Sequence, residues 1–528
     1  MTAIKNYLKE QNTPKSVSTR VREDQVENST GGFVFKTSDE QRLTRFLVLG
    51  SDGGTYYATE RDLTNENIDF IIDMIKSDEA LVRETVVNVS TNARAPKNSQ
   101  ALFVMALLFV YGEDKVMATD ALLDVARTGT HLFEFVSYLK AMGGLGKAKR
   151  RAIGAWYLNK PNVALQVAKY RSRHGYTHRD LLRLSHVVGL DRNVGEFILH
   201  GVVTDDAPEI LKAFEAAQAV TTDKEAVKVL KQYPDAPWEF FPTSVHNSKE
   251  FWKAVFKSGK MGQTALLRNV TRFAKLGLFD DLKFAGDVAK ALSDPEAIKR
   301  GRLHPVQYLN ALGIYTKGRA LDRGYYGYTP DYTVNSKVAG ALEKGFYAAF
   351  GNVVPSGKRT MISLDVSESM TYYAPAGLVG LNCMEASVAM AMVTIRTEDY
   401  VEVNGFSRTL VNIPISDMDS LEGVMKRLDG LPFYHTDVAL PIKKALDERK
   451  VIDTFIIYSD NEVNYGQHPY EVLNEYRRRV NPEARLVVVG MTSTGFTVAD
   501  PKDDKALDVV GFDASAPGVI ADFSAGRL

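Results

Sequence analysis

The sequence predicts two architectures in tandem: an α-solenoid of stacked helix pairs over residues 1–356, then a doubly wound α/β domain over residues 357–528. Three observations predict this. In the first part, apolar residues recur at three- and four-residue spacing within segments of ordinary helix length. In the second, near-continuous apolar runs of strand length alternate with helical patterns, as in a parallel sheet covered on both faces. Charge divides at the same place. Residues 357–528 hold 17 Lys/Arg against 25 Asp/Glu, a net of −8, which leaves 48 against 40, a net of +8, for residues 1–356.

The helical segments follow in order: ENIDFIIDMIKS (66–77), SQALFVMALLFVYG (99–112), KVMATDALLDVART (115–128), HLFEFVSYLKAM (131–142), KAKRRAIGAWYL (147–158) and NVALQVAKYRSR (162–173). Short Gly- or Pro-marked breaks separate them. Tandem short helices point to a solenoid. No clean repeat recurs, so an all-α globule is the alternative. The boundary falls near NVVPSGKR (352–359). Beyond it, TMISLDV (360–366), YVEVNGF (400–406), TFIIYS (454–459) and RLVVVGM (485–491) read as strands. CMEASVAMAMVTIRT (383–397), LEGVMKRL (421–428), ALPIKKALDERK (439–450) and PYEVLNEYRRRV (469–480) read as the intervening helices.

Composition excludes several classes. The single cysteine, Cys383, rules out a disulfide framework and a cysteine-rich zinc site, and it fits a reducing cytoplasm. The polar, charged start lacks an apolar export core. The longest apolar run, residues 101–112, is too short to span a bilayer, so no membrane association is expected.

Two constellations carry chemistry. Asp365, Ser367 and Ser369 follow the first strand of the α/β part, at the carboxyl edge where open sheets of this kind bind ligands. Thr436, in a loop entering a helix, and Asp460, at the end of another strand, reach the same edge. Two carboxylates and three hydroxyls form a hard-oxygen set suited to magnesium and poor for zinc. The bland reading of D-x-S-x-S alone is a loop with a capping aspartate. A serine nucleophile is disfavoured because the G-x-S-x-G elbow is absent. A phospho-aspartyl enzyme would place a second aspartate at Ser367. Binding, not catalysis, is expected.

The second constellation is basic. Residues 136–186 hold eleven Lys/Arg and one acid, Asp180. Among them Lys147, Arg150, Lys169, Arg171, Arg173, Arg179 and Arg183 are candidates for phosphate contact, with His178 and His186 adding hydrogen bonds or stacking. A helix over 162–173 would set Lys169 and Arg173 four apart on one face. The alternative is a solvated helix face with a satisfied histidine. The excess of base over acid points to nucleic acid.

Asp365, Ser367, Ser369, Thr436 and Asp460 together resemble the metal-ion-dependent adhesion site of von Willebrand factor A domains. That resemblance implies that the first four hold a divalent cation, with Mg2+ the expected species, and that Asp460 supports it. Over most of the chain, NSTGGFVFKTSDEQRLTRFLVLGSDGGTYYATE (28–60), RTGTHLFEF (127–135), KYRSRHGYTHRDLLRLSH (169–186), TALLRNV (264–270) and RLHPVQYLNAL (302–312) resemble the TROVE module of Ro ribonucleoproteins. SLDVSESM, HTDVALPI and SDNEVNYGQHP extend the match to the C-terminal part. The resemblance implies a HEAT-like helical ring closed by a von Willebrand A domain. It implies small noncoding Y RNAs on a basic outer surface and single-stranded ends of misfolded RNAs in a central hole. It also implies work in RNA quality control, processing or decay beside an exoribonuclease such as polynucleotide phosphorylase, as a monomeric, non-enzymatic protein in a ribonucleoprotein. The family's Y RNA contacts fall on Lys169, Arg173 and His186. Position 174 is His and position 179 is Arg where relatives differ, and FYH precedes Thr436 where relatives often have glycines. The competing reading is a metal-dependent protein-adhesion scaffold with incidental RNA binding. A metal-dependent hydrolase is the third.

Overall fold

The computed structural model describes residues 14–50, 60–317, 332–351, 353–372, 382–428 and 436–528. The FYH loop before Thr436 and the glycine-containing stretch 51–59 lie outside them. The chain divides into two compact units. One comprises Phe70–Ala93 and Lys97–Ala349, and the other gathers the residues before Phe70, Arg94–Pro96 and Phe350–Leu528. The division at Phe350 lies close to the expected boundary, but the residues before Phe70 join the C-terminal unit.

That N-terminal segment explains its own placement. β1 (Gln25–Glu27) and β2 (Phe33–Lys36) form an antiparallel pair, with Val26 opposite Val34. Gly32 lies so close to the carbonyl of Val463 that a Cβ there would sit 1.8 Å from its oxygen, so only glycine fits. The helix Asp39–Leu49 follows, started by a capping box between Ser38 and Gln41. It delivers Arg45, which is fully buried, to Asp508 at 2.5 Å and to the carbonyls of Thr494 and Phe496.

The helical unit bears out the predicted helices. Ser99–Tyr111 is apolar nearly all round, and eight of its thirteen residues are buried, as an interior helix requires. Lys115–Val125, Gly129–Ala141 and Lys147–Asn159 match their predicted spans to within a few residues. One helix does not. Val163–Lys169 ends at Tyr170, and the chain turns into a hairpin of β3 (Ser172–Arg173) and β4 (Tyr176–Thr177). His174 and Gly175 both have positive φ, 51° and 78°, between the paired residues Arg173 and Tyr176. This is the two-residue loop whose twist matches antiparallel strands, and glycine suits its second position. The turn dipeptide overrides the helical spacing, so Lys169 and Arg173 do not share a helix face.

The C-terminal unit is the predicted doubly wound domain. β5 (Thr360–Asp365), β6 (Val401–Phe406), β7 (Leu410–Asn412), β8 (Thr454–Ser459) and β9 (Arg485–Gly490) are joined after β10 (Phe496–Thr497) by β11 (Ala506–Val510). The sheet order is β11-β9-β8-β5-β6-β7, parallel except for β7. β10 instead pairs with β2, extending the small N-terminal sheet. β5 and β8 are buried at every position, which accounts for their unbroken apolar character. From β5 the chain first builds one side of the sheet with β6 and β7, then crosses to build the other with β8. The strand order therefore reverses between β5 and β8. Among the described residues no helix is long and apolar enough to cross a membrane.

Candidate metal centre and nucleic-acid surface

The reversal point carries the oxygen cluster. Asp365 closes β5 and Asp460 follows β8, so two hydrogen-bonded neighbouring strands deliver both carboxylates to one edge. Asp365 is fully enclosed and Asp460 nearly so. The Oδ1 of Asp365 accepts from the Ser367 amide at 2.9 Å, which folds the D-x-S-x-S loop back on the strand end. Ser367 Oγ lies 3.1 Å from Ser369 Oγ, and the Ser369 side chain hydrogen-bonds Asp460. The loop thus links the two carboxylates through hydroxyls.

Burial pushes the Asp365 carboxyl up from its usual range, and the neighbouring Asp460 charge pushes it further. Burial raises Asp460 as well. Neither forms an ion pair with a cationic side chain among the described residues. Two enclosed carboxylates and adjacent hydroxyls are a donor set that fits a hard divalent cation. Thr436 is buried at the same edge. Its amide donates to Asn464, and the amide of its neighbour Asp437 donates to Ser407, just past β6. The five residues expected from the sequence are therefore all at the carboxyl edge.

Sequence reasoning missed two neighbours of the cluster. Ser459, the last residue of β8, donates to the second oxygen of Asp365 at 2.8 Å. Glu462, two residues past Asp460, is buried, and burial together with the Asp460 charge pushes its carboxyl up to about 8. A serine ending an apolar strand was the available signal for the first. Nothing local signals the second, because a glutamate in the loop after a strand reads as exposed.

The basic candidates separate into three groups. Arg171, Arg173 and His174 on the hairpin, and Arg179, Arg183 and His186 on or just after the helix His178–Ser185, are exposed. Arg179 and Arg183 stand one turn apart on that helix. Arg171 lies over the Phe214 ring at 5.2 Å, which anchors it while leaving it exposed. Lys147 and Arg150 are exposed on the preceding helix.

Lys169 is separate. Its ammonium pairs with Glu239 at 3.1 Å, and it lines a cavity of about 1000 Å³ with Tyr170 and Trp238. His178 requires a correction. It is 4% exposed, its ring centroid is 4.7 Å from that of Phe133, and its Nδ1 lies 2.7 Å from the Tyr157 hydroxyl. Burial depresses it to about 4, so it is neutral at physiological pH. It is a core residue and takes no part in the exposed surface.

The fold and site define a helical array joined to a von Willebrand A-type domain. Family models assign the same two parts: a TROVE domain matches residues 26–232 and 206–323, and a Ro60 vWA domain matches residues 359–524. The chain is 38% identical to the RNA-binding protein RO60 of Deinococcus radiodurans, over 99% of this chain and all of that one. It is 30% identical to the RNA-binding protein RO60 of Caenorhabditis elegans, over 96% of this chain and 91% of that one. The crystal structure of the Deinococcus radiodurans Ro protein covers 93% of this chain at 37% identity, with a TM-score of 0.67. The chain belongs to the Ro60 family, whose matched relatives are named RNA-binding proteins.

Proposed function

We propose that this protein binds small structured noncoding RNA of the Y RNA type through its hairpin and the helix that follows. The observation that carries this is the cluster of four exposed guanidinium groups, Arg171, Arg173, Arg179 and Arg183, beside the exposed His174 and His186. Guanidinium groups grip phosphates bidentately, and imidazole rings can stack on unpaired bases. Membership in a family of RNA-binding proteins supports the same reading. Misfolded RNAs with unpaired ends are the second class of ligand, and quality control, processing or decay alongside an exoribonuclease is the pathway proposed.

The oxygen cluster has a separate task. Asp365, Ser367, Ser369 and Thr436 would hold a divalent cation, Mg2+ by donor type, with Asp460 supporting it. Such an ion offsets the enclosed negative charge and offers a coordination position to a partner's carboxylate.

Charge reversal of Arg173, Arg179 and Arg183 to Glu tests the RNA surface. Binding of a structured RNA should weaken, and the slope of log affinity against log salt should become shallower by about 2 to 3 units. Unchanged affinity at matched salt, in a variant with unchanged thermal unfolding, would sink the proposal.

A further inference from the structure

Away from the hairpin, helices Asp223–Gln232 and Lys249–Lys257 pack together and border an open groove of about 700 Å³. Lysines enter it from both sides. Lys224 and Lys231 are seven apart, two turns along one face of the first helix. Lys253 and Lys257 are four apart on the second. Lys253 reaches Asp281 at 3.6 Å, whereas Lys224, Lys231 and Lys257 have no ion-pair partner among the described residues. Two acids also border the groove, Glu250 and Asp223, and Asp223 already accepts from Ser248. Between the lysines the wall is apolar, from Val227, Leu230 and Ala254, and no aromatic ring lines it.

These features select for charge density over sequence. Ammonium groups are point charges on long stems, without the fixed fork that reads a planar partner. Without an aromatic platform, a base has nothing to stack on. A polyanion running along the groove would meet a lysine at about every 6 Å of helix rise where the spacing is four residues.

The groove is not isolated. It meets the cavity of about 1000 Å³ at Ser258, which lines both. That cavity brings together Lys169, Tyr170, Trp238, Lys260 and Arg268, with Lys169 paired to Glu239 and Lys260 to Asp235 within it. The groove therefore adjoins, at Ser258, a cavity that holds two aromatic rings and reaches Lys169 and Tyr170, the residues next to the hairpin. An acidic protein segment would gain from the lysines, but it has no use for the aromatic-lined approach, whereas an RNA strand uses both.

We propose that the lysine groove is a sequence-independent track for the phosphate backbone of RNA long enough to extend beyond the hairpin. This rests on the RNA-binding reading of the hairpin. It adds a second contact that short RNAs do not reach.

The test compares a short and a long single-stranded homopolymer RNA on the full chain, titrated across salt concentrations. The Lys224→Glu, Lys231→Glu, Lys257→Glu variant should bind the short RNA as the wild type does. For the long RNA its salt slope should be shallower by about 2 units, and the affinity gained by lengthening should largely vanish. A Gln version of the same variant guards against misfolding from charge reversal and should show the same difference. Equal binding of the long RNA by wild type and both variants would overturn the groove, even if the variants had lost an acidic protein. Equal loss on short and long RNA would overturn it as a separate track. Failure of the hairpin variant to weaken either RNA would instead overturn the underlying RNA surface, so the two failures are distinguishable.

Discussion

Asp365 and Asp460 stand at the ends of neighbouring parallel strands and are enclosed, whereas Arg173 and Arg179 stand on a short hairpin and a helix that project into solvent. The first site is built from the interior outward. Its donors are fixed by strand register, by Ser459, and by an N-terminal segment folded against the loop that follows β8. The second is built on a tight turn, and its charges are fixed only by being placed on the same surface. A cation site must hold several oxygens to a common centre, so it is made where the backbone is most constrained. A polyanion surface needs charge within reach of phosphates and tolerates looser geometry. The two sites should therefore fail in different ways.

The largest effect is expected beneath the enclosed site. Arg45 and Asp508 form a buried pair, with Thr497 also donating to Asp508. Replacing Arg45 with Ala leaves a buried carboxylate without its counter-charge, a change that costs about 3–5 kcal/mol. Denaturant unfolding of the full chain should show that loss. An Arg45→Met, Asp508→Leu double variant should recover most of it, since apolar residues of similar size replace a buried pair at little cost. A single variant as stable as wild type would mean that the N-terminal segment does not brace the sheet. By contrast, reversing Arg173 and Arg179 should change stability by no more than about 0.5 kcal/mol.

His178 sharpens the boundary between interior and surface. Its folded-state value of about 4 lies below the 6.5 of an ordinary imidazole. Between those two values only the unfolded chain takes up the proton. Stability is therefore full above pH 6.5 and falls as pH drops toward 4, by about 3 kcal/mol in total. Below pH 4 both states are protonated and this loss stops growing. Denaturation of a His178→Phe variant should show a flatter slope across that window, with RNA affinity at neutral pH unchanged. A loss of affinity without a change in the pH slope would return His178 to the RNA surface.

What could be read from the sequence follows the same division. The strands β5, β8 and β9 were legible because burial on both faces leaves near-continuous apolar runs, and β6 and the intervening helices from their apolar spacing. The five oxygen residues were legible because each follows a strand or opens a helix at the same edge. β1, β2 and β10 were not, because they are two to four residues long and β10 pairs with β2 across more than four hundred positions. In the basic segment composition was legible, but orientation was not. Helical spacing continues through Arg173, while His174 and Gly175 fix a turn that no apolar pattern records. His178 was misplaced for a related reason. A histidine between arginines reads as surface, yet as the first residue of its helix it turns onto Phe133 and Tyr157.

The cation gives the next effect. Without divalent ions, Asp365→Asn should raise the unfolding temperature, because it removes one of two enclosed carboxylates that repel each other. With Mg2+ at about a hundred times its dissociation constant, the wild type should gain about 2.7 kcal/mol and the variant should gain none. Scanning calorimetry with and without Mg2+ reads both arms. Equal Mg2+ stabilisation of wild type and variant would exclude the cluster as the binding site.

The smallest effect lies at the helix that carries Arg179 and Arg183. Thr177 and Asp180 form a reciprocal capping box: the Thr177 hydroxyl accepts from the Asp180 amide at 3.2 Å, and the Thr177 amide donates to Asp180 at 2.9 Å. Asp180 is the single acid in the basic segment, and these bonds, chiefly those from Thr177, hold its carboxyl below the usual range. Its charge is therefore used to start the helix and is not free to pair fully with Arg179 or Arg183. Thr177→Ala should cost about 1 kcal/mol, read by thermal unfolding. RNA affinity should fall only slightly, because the arginines remain and only their pre-positioning is loosened. A large loss of affinity would show that the exposed surface depends on fixed geometry as strictly as the enclosed one does, and the contrast between the two sites would then fail.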